Sequence, residues 1–238
     1  MKAPNNGYRE WKGWAEQEFG AVDRTAAHYF ATELREAGIP SVNGLHVLEL
    51  GFGNGAFATW ASVAEAHYLG TEAIPALVAA ARHAGIDAYP STIDLADVVP
   101  AGTLDLVVAF DVFEHLPLQQ LEELLVRLST LIVRGGVVLA RVPSGDSPFA
   151  RAVQHGDLTH RLVLGSSAVR QLAMSVGYEV ASIRRPAFPV LGLGLKTCVR
   201  RALVALAQRL CHRFIASALM GGGAPVLTPT MVFVLRRP

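Results

Sequence analysis

Short apolar runs alternate along the chain with segments in which apolar residues recur every three or four positions. The runs are rich in Val, Leu and aromatic residues, which predicts buried strands. The predicted strands are HVLEL (46–50), AHYLGTE (66–72), a short strand near Asp87–Tyr89, LDLVVAF (104–110), GGVVLARV (135–142), YEVASIRR (178–185) and MVFVL (231–235). Strands that alternate with helices favour an α/β fold with a mostly parallel, doubly wound, seven-stranded sheet and helices on both faces.

The segments between the strands predict amphipathic helices. IPALVAAARHAG and PLQQLEELLVRLSTLIVRGG should end at glycine, and SSAVRQLAMSVG should begin at a serine N-cap. A chain of 238 residues is long enough for one well-buried domain, expected over 1–238. We divide it into an N-terminal helical segment (1–40), a core (41–185), a basic amphipathic helical insert (186–225) and a last strand (226–238).

Composition and charge narrow the class of protein. The chain is 51% hydrophobic and 17% charged with a net charge of +1, which indicates a folded protein and excludes a disordered or nucleic-acid-coating one. Residues 1–179 hold all 20 acidic and 12 basic residues, whereas 180–238 hold nine basic residues and no acid. No segment has the pattern of a signal peptide or an uninterrupted membrane span, so we expect a cytoplasmic protein. Two cysteines are too few for a disulfide framework.

A glycine-rich turn follows the first predicted strand in LELGFGNGA. Gly51, Gly53 and Gly55 have no Cβ and can adopt positive φ, so a ligand can approach the backbone and the start of the next helix. The turn also satisfies the dinucleotide pattern G-x-G-x-x-A, and Glu72 ends the second strand where a ribose would need a carboxylate. A nicotinamide-dependent oxidoreductase is therefore one interpretation of the turn.

Three further features favour another cofactor. One residue separates Glu49 from the first glycine, Asp94 follows the third strand where it could meet the amine of an adenine, and LDLVVAFDVFEHLP ends the fourth strand with polar groups. Together these features resemble the class I S-adenosylmethionine-dependent methyltransferases from about Leu45 to Leu139. The resemblance implies a Rossmann-like sheet whose last two strands form an antiparallel pair, and S-adenosylmethionine as the cofactor.

The resemblance also assigns roles to residues of the cofactor site. It implies that the pocket for the methionine part is shaped by Glu49, Gly51, Gly53 and Gly55. It implies that Glu72 binds the ribose hydroxyls and that Asp94, with Leu95 beside it, contacts the adenine. Phe110 and Asp111 would close the cofactor pocket. The N-terminal helical segment would form a lid in which Tyr8 contacts the ligands. The alternative for its aromatic face is core packing of an extra helix.

Two loops offer a general base for methyl transfer to a hydroxyl, since a histidine can titrate near neutral pH. DVFEHLP supplies Glu114 and His115, and QHGDLTHR supplies Asp157 and His160. We expect His160 or His115 to be the base, with Asp157 or Glu114 as the orienting partner. A local side-chain turn of Asp157 with Thr159 and a helix start at His115 are the structural alternatives. These side chains could also ligate a divalent ion, but without a tight spacing motif we predict no metal.

The predicted acceptor rests on a looser resemblance. VPSGDSPFARAVQHGDLTHRLVLGSSAVRQLAMSVGY, together with YREWKGWAEQEFG, resembles a branch associated with bacterial surface-polysaccharide and other small-molecule pathways. This implies a sugar hydroxyl as the acceptor, in a glycan precursor for O-antigen or capsule. A quinone-like or other lipophilic hydroxyl is the alternative within methyl transfer. A cofactor-binding protein without catalysis is an alternative of another class.

The insert predicts a basic amphipathic helix, since apolar residues recur at helical spacing from Val199 to Phe214 and no acid is present. Residues 191–220 could contact the inner face of an anionic membrane or receive a lipid-linked glycan. Packing on the sheet or in a homodimer explains the apolar residues equally well. Nucleic acid is not expected as a partner, because the rest of the chain is acidic.

Overall fold

Seven strands form one mixed sheet in the computed structural model, which describes residues 6–14, 16–190, 194–219 and 225–238. The strands are β1 (His46–Leu50), β2 (His67–Glu72), β3 (Ala88–Pro90), β4 (Leu104–Phe110), β5 (Ile132–Pro143), β6 (Glu179–Arg184) and β7 (Thr230–Arg236). Their order is β3-β2-β1-β4-β5-β7-β6, and β7 is antiparallel to both of its neighbours while the other pairs are parallel. The predicted fold class is confirmed, including the antiparallel last strand.

Helices cover both faces of the sheet. They are α1 (Asn6–Trp11), α2 (Arg24–Glu36), α3 (Ala56–Val63), α4 (Pro75–His83), α5 (Leu118–Leu131), α6 (Arg151–Gly156), α7 (Ser166–Ser175) and α8 (Leu195–Leu219). One core cluster joins the sheet to α5 and α7, and a second joins it to α2 and α3. Leu48 belongs to the first cluster and its neighbour Val47 to the second, because successive side chains of a strand point to opposite faces. Burial on both faces explains why the central strands are almost continuous apolar runs.

Two predicted helix ends are wrong in detail. α5 does not end at a glycine: the chain turns directly into β5 at Ile132, a buried β-branched residue in extended conformation that pairs with Leu104. α7 does not begin at a serine N-cap, because Gly165 occupies that position. The Asp146 carboxylate caps this helix instead, accepting hydrogen bonds from the backbone N–H and the hydroxyl of Ser166.

The topology brings the functional loops to one edge of the sheet. From β1 the chain adds β2 and β3 on one side and β4 and β5 on the other, so the order reverses between β1 and β4. Ligands of doubly wound sheets bind at the carboxyl ends of strands flanking such a reversal. β6 is also parallel to β5, because both are antiparallel to β7, and its carboxyl end therefore lies at the same edge.

Candidate active site

The glycine turn after β1 leaves no room for side chains. Gly51, Gly53 and Gly55 have φ angles of 65°, 54° and 77°. A Cβ at Gly51 would lie 2.7 Å from a methyl group of Val112, and one at Gly55 would lie 2.2 Å from the ring of Phe19. The turn is therefore restricted to glycine both by its backbone conformation and by the groups that pack against it.

Glu72 fastens the glycine turn to the end of β2. One carboxylate oxygen accepts the Gly53 N–H at 2.9 Å, and the other accepts the N–H groups of Ala73 and Ile74 at 2.7 and 3.0 Å. Burial raises the pKa of this carboxyl group, and the three backbone donors oppose the shift. Glu72, which is predicted to bind the ribose, thus lies at the expected strand end beside the turn. Backbone N–H groups hold both of its carboxylate oxygens in place.

Glu49 lies buried at the end of β1. Its carboxylate accepts a hydrogen bond of 2.6 Å from the Tyr68 hydroxyl of β2. Burial raises the pKa of Glu49 to about 8, although the bond from Tyr68 lowers it. Burial therefore favours the protonated form of Glu49 near neutral pH, and Tyr68 fixes the position of the group. The sequence pattern pointed to Glu49 but not to Tyr68.

The residues predicted to hold adenine lie after β3. Asp94 is exposed, and its carboxylate accepts the Ala96 N–H at 3.2 Å, capping a one-turn 3₁₀ helix that begins at the half-buried Leu95. This capping bond uses one oxygen and leaves the group open to solvent. β1, β2 and β3 are adjacent and parallel, so the glycine turn, Glu72 and Asp94 follow one another along the sheet edge.

The two residues predicted to close the pocket behave differently. The ring of Phe110 packs in an aromatic cluster with Tyr29, Phe30 and Phe57, on the face of the sheet that α2 and α3 cover. Asp111 follows with a φ of 57° and forms a two-point ion pair with Arg141 of β5. Positive φ is uncommon for a residue with a side chain and marks strain of the kind found near ligand sites.

A hydrogen-bonded chain orients His115 beyond the end of β4. The Thr159 hydroxyl donates to the Asp157 carboxylate at 2.5 Å and lies 2.9 Å from Nδ1 of His115. Because the hydroxyl proton goes to Asp157, Nδ1 of His115 must be the donor in the second bond. Neutral His115 then carries no proton on Nε2, which is the form that a general base requires.

Electrostatics keep that base neutral. Burial and the nearby His160 lower the pKa of His115 below its ordinary value of 6.5. Burial alone would raise the pKa of Asp157, but bonds from Thr159 and Tyr8 and the charge of Lys12 lower it to about 2. Near neutral pH the pair therefore consists of an ionised Asp157 carboxylate and a neutral His115 imidazole.

The N-terminal helix reaches this site from the other side. The Tyr8 hydroxyl donates to Asp157 at 3.1 Å, and the Lys12 ammonium lies 3.5 Å from the same carboxylate. Tyr8 and Trp14 also pack against the cluster around Phe52 and Ile74 that supports the glycine turn. The segment predicted to be a lid thus contacts both the cofactor half and the acceptor half of the edge.

His160 is held by other partners than His115. Its Nδ1 donates to the Gln154 carbonyl at 2.9 Å, and its Nε2 lies 3.9 Å from Glu114 and 3.8 Å from Asp157. Its side chain is 7% exposed. Burial and the charge of Asp111 raise the pKa of Glu114 to about 8, and one oxygen of this carboxyl group has no hydrogen-bond partner.

All four predicted catalytic side chains are therefore neighbours. One donor atom each from Glu114, His115 and His160 lies within 4.8 Å of the other two, so the set could also hold a divalent ion. An open cleft of about 270 Å³ adjoins the cluster, and it is lined by Gln154, His155, Asp157, Leu158, His160, Arg161 and Val163.

Comparison with known proteins decides the family. The model of a family described as a methyltransferase domain matches residues 14–183, which is more than half of the chain. This chain belongs to that methyltransferase family. The predictions of a class I methyltransferase and of S-adenosylmethionine as its cofactor are confirmed, and the nicotinamide interpretation of the glycine turn loses its support. A search of the curated proteins finds no significant match.

Solved structures share the fold of this methyltransferase at low sequence identity. An S-adenosylmethionine-dependent methyltransferase from Archaeoglobus fulgidus is 16% identical with a TM-score of 0.64, covering 95% of this chain and 99% of its own. One from Mesorhizobium loti is 16% identical with a TM-score of 0.58, covering 89% and 98%. Magnesium protoporphyrin IX methyltransferase from Synechocystis, solved with S-adenosylhomocysteine, is 14% identical with a TM-score of 0.56, covering 98% and 94%.

The residues at the edge of the sheet fit this cofactor. The glycine turn, the Glu72 carboxylate and the Asp94 carboxylate follow three adjacent strands, which spaces them over roughly 10 Å. That span suits an elongated ligand whose two ends and ribose need different partners. Glu72 would hold the ribose, Asp94 the adenine, and the glycine turn the methionine part, which carries the methyl group to be transferred.

Sequence reasoning missed two residues of the site and the role of a third. Arg141 and Tyr68 fix the side chains of Asp111 and Glu49. Arg141 left a signal, because it is a charged residue within the otherwise apolar strand GGVVLARV, whereas Tyr68 is an ordinary residue of its strand. Thr159 forms the local turn with Asp157 that was the structural alternative, since its backbone N–H and its hydroxyl both donate to that carboxylate. Its contact with His115 was not predicted.

Replacing Gly55 with Ala should lower both thermal stability and affinity for S-adenosylhomocysteine. The new Cβ would meet the ring of Phe19, which packs at right angles on Phe52 within the glycine turn. Gly85→Ala is a matched control, since Gly85 has a φ of 76° but open space around it. Both variants carry the strain of positive φ, about 1–2 kcal/mol. Equal stabilities and affinities of the two variants would show that the Phe19 contact is unimportant.

Proposed function

We propose that this methyltransferase transfers a methyl group from S-adenosylmethionine to a hydroxyl of a sugar or glycan precursor. His115 removes the proton of that hydroxyl. The enzyme acts on the cytoplasmic side of the membrane, in surface-polysaccharide synthesis. The observation that carries the proposal is the chain from Asp157 through Thr159 to Nδ1 of His115, which leaves Nε2 free to accept a proton. A carboxylate that orients an imidazole is a general arrangement for activating hydroxyl groups.

The groups around Nε2 of His160 favour His115 over it as the base. His160 uses Nδ1 on a backbone carbonyl and directs Nε2 toward Glu114 and Asp157 inside the protein. His115 is half-buried and lies at the end of β4, beside the point where the strand order reverses. In this proposal Glu114 supports the position of His115, and His160, which lines the neighbouring cleft, contacts the acceptor without taking its proton.

The lining of the neighbouring cleft supports a polar acceptor. Gln154, His155 and Arg161 offer hydrogen-bond donors and acceptors there, in addition to the carboxylate of Asp157. A sugar presents several hydroxyl groups that such side chains can bind, whereas an aromatic quinol presents mostly apolar surface. The long apolar helix α8 favours a second candidate, a lipophilic hydroxyl acceptor, because it exposes Leu203, Leu210 and Phe214 to solvent.

Calorimetric titration of the whole chain with S-adenosylhomocysteine, NAD and NADP tests the cofactor first. We expect micromolar binding of S-adenosylhomocysteine alone. Labelled S-adenosylmethionine is then incubated with nucleotide sugars and oligosaccharides in one set of reactions and with catechol and quinol acceptors in another. Label in a sugar product supports the proposal, and label only in quinol products supports the lipophilic alternative. Binding without transfer in either set would indicate a cofactor-binding protein without this activity.

A further inference from the structure

α8 carries an exposed apolar stripe. Six large apolar residues follow one another at intervals of four, four, three, four and four positions: Leu195, Val199, Leu203, Leu206, Leu210 and Phe214. Each of them is more than half exposed. At about 100° of rotation per residue these positions form a continuous stripe along five turns of the helix. An apolar surface of this length exposed to water marks an interaction surface.

The opposite side of α8 faces the body of the protein. Ala205 and Ala216 are the buried residues of the helix, and neither lies on the stripe. The guanidinium of Arg201, one turn before Ala205, lies 4.2 Å from the ring centroid of Phe188. The stripe is therefore turned away from the rest of the chain and is free to meet a partner.

Basic residues border the stripe on both sides. By the same helical rotation, Lys196 and Arg200 lie along one border, and Arg209 and Arg213 lie along the other. α8 has no acidic residue. An apolar stripe with cationic borders is complementary to a surface that has an apolar interior beneath anionic groups, which is the structure of an anionic lipid leaflet.

We propose that α8 docks this methyltransferase on an anionic phospholipid surface, lying in the plane of the headgroups with its stripe inserted. The stripe residues contact the acyl boundary, and the four bordering side chains extend to the lipid phosphates. The predicted contact segment was 191–220, of which 191–193 and 220 lie outside the described residues. The docking does not depend on which acceptor is methylated.

A helix that lies on the surface accounts for α8 better than one that spans the bilayer. By length and composition α8 could cross a membrane, and 6% of its most apolar window is buried in the protein. However, Arg209, His212 and Arg213 would then lie near the centre of that window, where charged groups are costly. In the interfacial orientation the same three residues remain within reach of water and lipid headgroups.

Self-association through the stripe conflicts with the charges. If two copies paired along their stripes, two helices that each carry basic side chains would be brought together. No acid of α8 could neutralise them. Residues 1–179 carry an excess of acidic residues, whereas five of the nine basic residues after Glu179 lie on α8. An anionic leaflet meets both the apolar and the electrostatic requirement.

The insert also begins and ends next to the catalytic edge. β6 ends at this edge, and the Ala187 N–H that follows donates to Glu33. At the other end, the hydroxyls of Ser144 and Ser147 donate to the carbonyls of Val226 and Leu227. These serines follow β5, in the loop that leads to α6 and the acceptor cleft. Docking through α8 would therefore hold the catalytic edge close to the lipid surface.

Vesicle co-sedimentation of the whole chain tests the proposal. Vesicles of phosphatidylcholine alone are compared with vesicles containing about 30% phosphatidylglycerol, whose headgroup is anionic, at low and high salt. We expect binding only to the anionic vesicles, weakened by salt because surface charges are screened. Neutralising Lys196, Arg200, Arg209 and Arg213 to Gln should weaken binding at least ~100-fold, since each cation near the surface strengthens it by roughly fivefold.

Matched variants separate the stripe from general effects. Arg24, Arg127, Arg134 and Arg170 are exposed elsewhere, so changing all four to Gln removes the same charge without touching α8. L206S/L210S should abolish binding, and Met174→Ser, at an exposed residue of α7, should not. The proposal would be overturned if the matched variants lost binding equally, or if binding did not depend on lipid charge. It would also be overturned by a solution dimer that L206S/L210S dissociates. Cofactor titration of every variant measures the proposed function separately.

Discussion

Replacing His115 with Ala is expected to lower kcat by about 10²–10⁴-fold while leaving the Kd for S-adenosylhomocysteine unchanged. This range is typical for loss of a positioned general base. Nδ1 of His115 is held by Thr159 and Asp157, so Nε2 is the atom that would accept the hydroxyl proton. Steady-state kinetics and calorimetry on the same preparation measure the two quantities. His83→Ala, at an exposed histidine of α4, is the control and should match the parent chain.

The pH profile provides a second signature of this base. The pKa of His115 is lowered by burial and by His160, so the imidazole is neutral above this lowered value. Activity should therefore rise with pH through a pKa below 6.5 and stay level above neutrality. The direction follows because protonation occupies Nε2 and removes its acceptor function. A profile that falls as pH increases through this range would contradict the assignment.

Thr159 is a positioning residue in this scheme, and it allows a finer test. Thr159→Val removes the hydroxyl that links Asp157 to His115 and should lower kcat with little change in KM. Thr159→Ser keeps the hydroxyl and should restore most of the rate. Assays in EDTA distinguish a base from a metal ligand, since His115→Ala would remove either. Loss of turnover in EDTA with recovery on adding Mg²⁺ or Mn²⁺ would assign Glu114, His115 and His160 to an ion.

Replacing Glu72 with Ala is expected to weaken S-adenosylhomocysteine binding by about 100-fold, because bonds to a charged group contribute roughly 1.5–3 kcal/mol each. The carboxylate orders the glycine turn through the Gly53 N–H and would also hold the ribose. Glu72→Gln keeps one acceptor oxygen and should lose about tenfold. Glu123→Ala, at an exposed acid of α5, serves as the control. Unchanged affinity in Glu72→Ala would exclude both roles.

Ribose binding and loop ordering can be separated by changing the ligand. Adenosine and 2′-deoxyadenosine are compared as competitors of S-adenosylhomocysteine, for the parent chain and for Glu72→Ala. If Glu72 binds the ribose hydroxyls, the parent chain discriminates between the two nucleosides and the variant does not. If Glu72 only orders the turn, both proteins show the same ratio. Thermal unfolding of the variant checks that the domain remains folded.

The sheet could be predicted from the sequence because its central strands are buried on both faces. HVLEL and LDLVVAF are almost continuous apolar runs, and the structure places strands at His46–Leu50 and Leu104–Phe110. The glycine turn was equally visible, since positive φ at Gly51, Gly53 and Gly55 leaves a direct mark on composition. Such features depend on local chemistry, so they can be recognised in a single sequence.

The assembled catalytic cluster was only partly visible. The sequence indicated that Glu114, His115, Asp157 and His160 follow strands that end at one edge, but it could not rank the two histidines. The bonds that separate them come from elsewhere: Thr159 to His115 spans 44 positions and Tyr8 to Asp157 spans 149. These distant partners determine which groups surround each imidazole nitrogen.

The sequence by itself thus determined the α/β class, the antiparallel last strand implied by the family resemblance, the cofactor and the residues at the strand ends. Only the tertiary structure decided which side chains pair there. Asp111 with Arg141, Glu49 with Tyr68 and Asp146 with Ser166 are all such pairs. The physical reason is that the spacing of apolar residues within a short segment indicates its secondary structure and its buried face. A side-chain hydrogen bond or a shifted pKa depends instead on distances between residues far apart in the chain.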